Sequence, residues 1–362
     1  MIEGLDQLFE RSQPGLAELR QALQELLGRH TRGKLLNVDA LQLPHPRAYR
    51  LCFKCDGQAR SLVVKRLDPA IAQRNYLVLT RWLPAVGLAQ NGPTLLGAAA
   101  ARDGQCVWHV YEDLGNFALI DQATSQAHIK LVVELIAGLH TRFARHPLLA
   151  ECRLLGGELG AGFFAANVRD AIHSLEALRA NELATSTEQA GICDRLHARL
   201  ERLRRESSSR AQALEELGGP ETLLHGDLWT TNAFVVPAPT GLQARLIDWD
   251  HSAVGPISYD LSTFLMRFPA ERRAAILDIY REAVASGGWR LPPAYDLNGL
   301  FETAEYARFA NRIIWPAIAL LRDRAEWAWN ALSEVEQWFK ELEPVLPNQE
   351  KPKAAQLAHE PV

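Results

Sequence analysis

Residues 223–232 read LLHGDLWTTN, and RLIDWD follows at 245–250. His225, Asp227 and Asn232 are set close together, and Asp248 comes sixteen residues after Asn232. Between them, Phe234-Val235-Val236 and Leu246-Ile247 flank a turn from Pro237 to Gly241. That pattern predicts a hairpin with Asn232 near one end and Asp248 beside it, since paired strands lie about 5 Å apart.

Upstream, the texture is that of short strands. Leu35–Leu43, Tyr49–Cys55 and Ser61–Leu67 alternate with turn signals, and Asp56-Gly57 predicts a tight antiparallel hairpin. Asp68 is expected to cap a helix with Pro69 in its first turn, running to about Leu83. A second hairpin is expected from Leu95–Ala100 and Cys106–Tyr111. An N-terminal helix capped by Ser12 would show Leu16, Leu19, Leu23, Leu26 and Leu27 on one face. Beyond Asp113-Leu114-Gly115 the pattern turns helical, as in Ile129, Val132, Val133, Ile136 and Leu139. Ser207-Ser208-Ser209 reads as a loop between helices.

The expected organisation is therefore α+β and bilobal, with a small antiparallel five-stranded lobe and a larger, mostly helical one. Residues 1–34 are expected to form a helical extension, 35–115 the small N-lobe, 116–343 the larger C-lobe, and 344–362 a disordered tail.

Composition narrows the function. Of 362 residues, 48% are hydrophobic and 23% charged, which suits a globular protein with a sizeable core. A net charge of −4 gives no broad attraction to nucleic acid or an anionic membrane. No secretion signal or spanning apolar run is visible. Five cysteines without framework spacing fit a reducing compartment, so a cytoplasmic location is expected.

Phosphoryl transfer needs a carboxylate to orient the attacking hydroxyl and take its proton. It also needs hard oxygens to hold Mg²⁺ against nucleotide phosphates. Asp227 suits the first role, and Asn232 and Asp248 the second. The order H-x-D-x-x-x-x-N, then a second Asp after an apolar strand, matches the protein-kinase signature. Read as a whole, LLHGDLWTTN with LIDWD resembles the aminoglycoside phosphotransferase family, a small-molecule branch of the protein-kinase-like fold that includes choline and fructosamine kinases. The loop HGDLW is particularly similar to the fructosamine and ecdysteroid kinases, and the likeness covers about residues 35 to 280.

The resemblance implies Asp227 as catalytic base, Asn232 and Asp248 as magnesium ligands, and Asp260 as a brace of the catalytic loop, with His225 orienting it. It further implies that Lys65 in SLVVKRL meets the α and β phosphates of ATP or GTP, and that Tyr111, Glu112, Asp113 and Leu114 form the hinge whose backbone receives the base. One departure stands out. Family members carry a glutamate in the helix after the lysine strand, whereas no acidic residue lies between Asp68 and Asp103 and Asn75 stands at that place. A lysine without that partner motivates a second reading, a nucleotide-binding module or pseudokinase without transfer. The loop from Pro44 to Ala48 also lacks glycine.

The acceptor side points to a small hydroxyl-bearing molecule. Only eleven residues separate Asp248 from Asp260, too few for a long activation segment, and Gly226 replaces the arginine of many protein kinases. Trp229, Asp250 and Glu305 are candidates for the acceptor pocket. Cys52-Phe53-Lys54-Cys55 would put its cysteines on opposite strand faces and hold no metal. Gly156–Gly162 lacks the βαβ context of a dinucleotide loop and reads as a flexible connection. The late tryptophans, Trp338 among them, are expected to pack in the core.

Overall fold

The computed structural model describes residues 2–9, 13–28, 32–41, 47–122 and 125–347. Its elements run β1 (Ile2–Glu3), α1 (Leu16–Leu26), β2 (Gly33–Ala40), β3 (Ala48–Cys55), β4 (Gln58–Leu67), α2 (Pro69–Leu77), α3 (Leu83–Ala85), β5 (Leu95–Ala100) and β6 (Val107–Glu112). Next come α4 (Gln126–Phe143), α5 (Leu149–Gly156), α6 (Ala161–Ala180), α7 (Thr187–Leu217), β7 (Thr222–Leu224), β8 (Ala233–Ala238) and β9 (Gly241–Leu246). The chain ends with β10 (Ala253–Gly255), α8 (Ser258–Leu265), α9 (Ala270–Ala285), α10 (Ala294–Asp323) and α11 (Trp327–Glu341).

The chain divides into two compact units. One joins Met1–Gly157 to His225–Ala253, and the other joins Glu158–Leu224 to Val254–Val362. The first thus extends past residue 115, because α4 packs on the β8–β9 hairpin, which follows the His225–Asn232 segment.

In the first unit, six strands run in the order β1-β2-β3-β4-β6-β5. The sixth, unforeseen from sequence, is a two-residue strand: Ile2 and Glu3 pair in parallel with Gly33 and Lys34 at the edge. Asp56 and Gly57 both take positive φ (48° and 82°), and Cys55 pairs with Gln58 across this two-residue turn. Positive φ at both central residues is what a right-twisted hairpin requires.

The helix α1 lays Leu16, Leu19 and Leu23 on a sheet face built from Leu51, Phe53, Val64, Trp108 and Val110. Leu26 faces outward, at 39% exposure. The expected cap at Ser12 lies outside the described residues, and Gly15 holds the N-cap position. At α2, Pro69 opens the helix as expected, yet the Asp68 side chain makes no capping bond. It pairs instead with Arg47 at 3.4 Å. A π-helical turn at Val78–Trp82 precedes Pro84, which has no N–H to return to the preceding turn.

The second unit is helical, with a core that includes Phe164, Leu175, Leu196, Leu200, Ala310, Ile313 and Leu332. Two expectations fail here. Residues 207–209 are not a loop but lie inside the 31-residue α7. Their hydroxyls bond back to the helix, Ser207 to the Leu203 carbonyl at 3.1 Å and Ser209 to that of Glu206 at 2.9 Å. Arg210 then ties the next turn to Glu206, Glu302 and Thr303. The late tryptophans also split: Trp315 and Trp327 are at the surface, and Trp338 is 38% exposed with its ring against Phe309.

Gly156–Gly162 is a built junction. Gly156 ends α5, Glu158 bridges to Val254, and α6 starts at Ala161. Most of the expected tail lies outside the described residues. At its start, Val345 and Leu346 are buried, and Leu346 exchanges two backbone bonds of 2.8 Å with the Asn298 side chain. Both cysteines of the CxxC stretch are free. Among the described residues, no helix is long and apolar enough to cross a membrane.

Candidate active site

The segment from His225 to Asn232 is a closed loop tied by its own polar groups. The Asp227 N–H donates to His225 Nδ1 at 3.3 Å, so the proton of this imidazole sits on Nε2, which donates to the Ile247 carbonyl at 2.8 Å. His225 thereby pins the loop to the strand end next to Asp248, with its ring 4.6 Å from that of Trp249. Asn232 Nδ2 donates to the Asp227 carbonyl at 2.9 Å and more weakly to its carboxylate at 3.4 Å. With the amide nitrogen turned to Asp227, the amide oxygen is the atom Asn232 has to offer elsewhere.

The predicted hairpin is present, with Ala233 opposite Leu246 and Ala238 opposite Gly241. The Ile247 N–H donates to the Asn232 carbonyl at 2.9 Å, which sets Asn232 and Asp248 side by side at one end. Asp248 adopts a left-handed conformation (φ 65°, ψ 60°) at the start of a 3₁₀ turn, Trp249–His251. Aspartate is among the few residues that tolerate this region. The turn sends Asp248 and Asp250 toward the same lysine.

Lys65, on β4 opposite His109 of β6, donates to Asp248 Oδ1 at 2.6 Å and Asp250 Oδ2 at 2.8 Å. Burial by itself would lower its pKa, but the two carboxylates together outweigh it and raise the pKa above the usual lysine value. Asp248 is pulled down: burial opposes this, and the Lys65 charge prevails. Asp250 is pushed up by burial and by the neighbouring Asp248 charge.

The far side of Asp250 is gripped by α2. Asn75 Nδ2 donates to Asp250 Oδ1 at 2.9 Å and to the Ile71 carbonyl at 3.0 Å. Arg74 donates to the Asp250 carbonyl at 2.6 Å and to that of Leu155 at 3.2 Å. Asp250, read from sequence as a candidate for the acceptor pocket, lies against Lys65 and Asn75. The clue available in the sequence was negative: a chain with no acid on α2 must find a counter-ion for Lys65 elsewhere.

The segment after β6 is braced on both sides. Glu112 accepts from the Thr94 N–H at 2.7 Å and from Arg245 of β9 at 2.5 Å. Asp113 pairs with Arg50 of β3 at 2.8 Å, and Arg50 also reaches the Gly115 carbonyl and the Asn116 side chain. Both carboxylates are engaged, and the Glu112 N–H donates to the Thr94 carbonyl at 3.0 Å. Tyr111 is buried, its hydroxyl 2.8 Å from His109 Nδ1. Burial, then the Lys65 charge, pull His109 down to about 4. Arg50, Arg74, His109 and Arg245 carried no local signal that singled them out.

Trp229 lies in the His225–Asn232 loop at 39% exposure. Asp260 and Glu305 belong to the second unit. Asp260 is fully buried on α8, and Glu305 pairs with Arg308 at 2.5 Å. Arg308 lies over the Tyr259 ring, 3.6 Å from its centroid, and donates to the Tyr259 carbonyl and the Ser262 hydroxyl.

A lysine on a central strand, a histidine-anchored aspartate loop and a paired Asn and Asp at one hairpin end define a phosphotransferase of protein-kinase-like fold. The chain belongs to the phosphotransferase enzyme family, whose sequence profile matches residues 50–297. Among solved structures it is similar to an ethanolamine kinase from Plasmodium vivax, at 12% identity over 93% of this chain and 92% of that one (TM-score 0.58). A spectinomycin phosphotransferase bound to ADP and spectinomycin matches at 14% identity over 90% and 95% (TM-score 0.56). An aminoglycoside phosphotransferase from Streptomyces rimosus matches at 16% over 84% and 100% (TM-score 0.50). At these identities the likeness is one of fold. No curated protein sequence matches the chain.

Proposed function

We propose that this chain moves the γ-phosphoryl group of ATP or GTP to a hydroxyl of a small molecule. The bond from the γ-phosphorus to the bridging oxygen breaks, a bond to the acceptor oxygen forms, and the acceptor proton passes to Asp227. The bridging oxygen leaves with the nucleoside diphosphate. His225 and Asn232 hold Asp227 in place for this, and positioning of that kind supplies much of the rate in phosphoryl transfer. The backbone at Glu112–Leu114 receives the base, and Lys65 meets the phosphates.

Asn232 and Asp248 would hold Mg²⁺. Their donors are hard oxygens, and two protein ligands suit an ion that keeps water and takes phosphate oxygens for the rest of its shell. When bound, the ion neutralises charge that develops on the phosphates. The observation that carries the proposal is the pairing of Lys65 with Asp248 at 2.6 Å, beside a loop in which Asn232 faces Asp227. The reading without transfer drew on a lysine lacking its partner; Lys65 has two, which favours transfer.

Small acceptors such as amino alcohols, sugars and aminoglycosides suit the short span after Asp248. The solved neighbours named above include kinases of ethanolamine and spectinomycin, which sets where an acceptor screen begins. The test is nucleoside diphosphate release with ATP or GTP, with and without magnesium, across such acceptors. Magnesium-dependent release stimulated by an acceptor supports the proposal. Magnesium-dependent nucleotide binding with no release for any acceptor overturns it.

A further inference from the structure

We propose that Asp250 is a positioning residue, the charge partner that keeps Lys65 in place, supplied by the hairpin loop instead of by α2. This rests on the assignment of Lys65 to the nucleotide phosphates.

Three observations carry it. First, Lys65 is shared between two carboxylates that differ in exposure, the Asp248 side chain at 38% and that of Asp250 at 18%. The more open one is free to turn to a ligand, and the tucked one is not. If Asp248 is drawn toward a cation, Lys65 keeps the Asp250 carboxylate at 2.8 Å. Second, Asp250 is fixed from the α2 side at both carboxylate and carbonyl, by Asn75 and Arg74. Third, Asn75 is 3% exposed, and it presents a donor to Asp250 where a glutamate would present a second negative charge. Asparagine at 75 and aspartate at 250 are thus matched: the charge has moved from the helix to the loop, and the helix retains only the grip.

The prediction is a relocation. Asp250→Asn should weaken nucleotide binding about tenfold, within the range of couplings seen between contacting residues, and raise the nucleotide KM by a similar factor. Asn75→Glu alone crowds two carboxylates and should lower the melting temperature. The double variant, Asn75→Glu with Asp250→Asn, returns one carboxylate to the neighbourhood of Lys65 and should recover most of the lost affinity.

The measurements are the nucleotide dissociation constant by calorimetry with magnesium, the KM against kcat split, and a crystal structure of the ligand-free double variant showing whether Lys65 meets the introduced carboxylate. A second cycle guards against a variant that merely unfolds. In a Lys65→Met background, Asp250→Asn should change nucleotide affinity less than twofold if it acts through the lysine. Unchanged affinity in Asp250→Asn would overturn the proposal, as would a full additional loss in the Lys65→Met background. A double variant no better than Asp250→Asn would do the same. Should the wild type bind nucleotide yet transfer nothing to any acceptor, the proposed function fails and the affinity cycles still decide this point.

Discussion

Gly226 lies against the carbonyl of His251 so closely that a Cβ on it would sit 1.9 Å from that oxygen, and its φ is +82°. Space and backbone conformation both demand glycine at this point of the His225–Asn232 loop. The arginine that many protein kinases carry here has no room to exist.

Gly226→Ala is therefore expected to displace the loop and to lower stability by about 3 kcal/mol, combining left-handed strain with the clash. For a chain of this size that is a fall of roughly four degrees in Tm, read by calorimetry. A fall of under two degrees with normal turnover would show that the His251 carbonyl yields easily.

Asp227→Asn keeps the shape of the loop and removes the base. Expected is a drop in kcat of about 10²–10⁴-fold, with nucleotide affinity changed less than about twofold. Asn232 Nδ2 can still reach the Asp227 backbone carbonyl, the stronger of its two bonds there. Near-normal turnover would remove Asp227 from the mechanism.

Asp248→Ala should lose the part of nucleotide binding that needs magnesium. At a hundred times its dissociation constant, a ligand stabilises by about 2.7 kcal/mol. Wild-type melting should rise further with nucleotide when magnesium is added, and the variant should show no such increment. An increment equal to wild type would place the metal elsewhere.

Arg50 uses its planar guanidinium: Nη2 donates to Asp113 and to the Gly115 carbonyl, Nη1 donates to Asn116, and Nε lies 2.8 Å from Asp113 as an ion-pair contact. Arg50→Lys cannot reproduce that geometry. It should destabilise by about 1.5–3 kcal/mol, the worth of charge-assisted bonds that are largely shielded from water. The nucleotide KM should rise about tenfold as the segment after β6 loosens. Full rescue by lysine in both melting and KM would show that charge alone suffices.

What the sequence made legible follows from range. Asp56-Gly57 and the β8–β9 hairpin announce themselves because their determinants are neighbours in the chain. Lys65 and Asp250 are 185 residues apart, and Asn75 and Asp250 are 175 apart. No local pattern can say that these three meet, so Asp250 reads as a loose acid near an acceptor. The α7 serines mislead for a different reason: their loop preference is overridden by back-bonding within the helix and by Arg210 reaching Glu302 on α10. The edge strand at Ile2–Glu3 is simply too short to leave a periodic trace.

His109 predicts how stability depends on pH. It is buried beneath the Tyr111 hydroxyl and faces the Lys65 charge, and its folded pKa is about 4 against an ordinary value near 6.5. Between those values the unfolded chain binds a proton that the folded one does not, so stability rises with pH across the window from about 4 to 6.5. Below it the penalty is fully present, and above it the penalty is gone. The depression corresponds to about 3 kcal/mol lost between neutral pH and pH 4. His109→Gln keeps a polar group next to Tyr111 but cannot titrate. Chemical denaturation from pH 4.5 to 7.5 should show the wild type gaining stability with a slope near one proton more than the variant. Parallel curves would mean that His109 accepts its proton in the folded state after all.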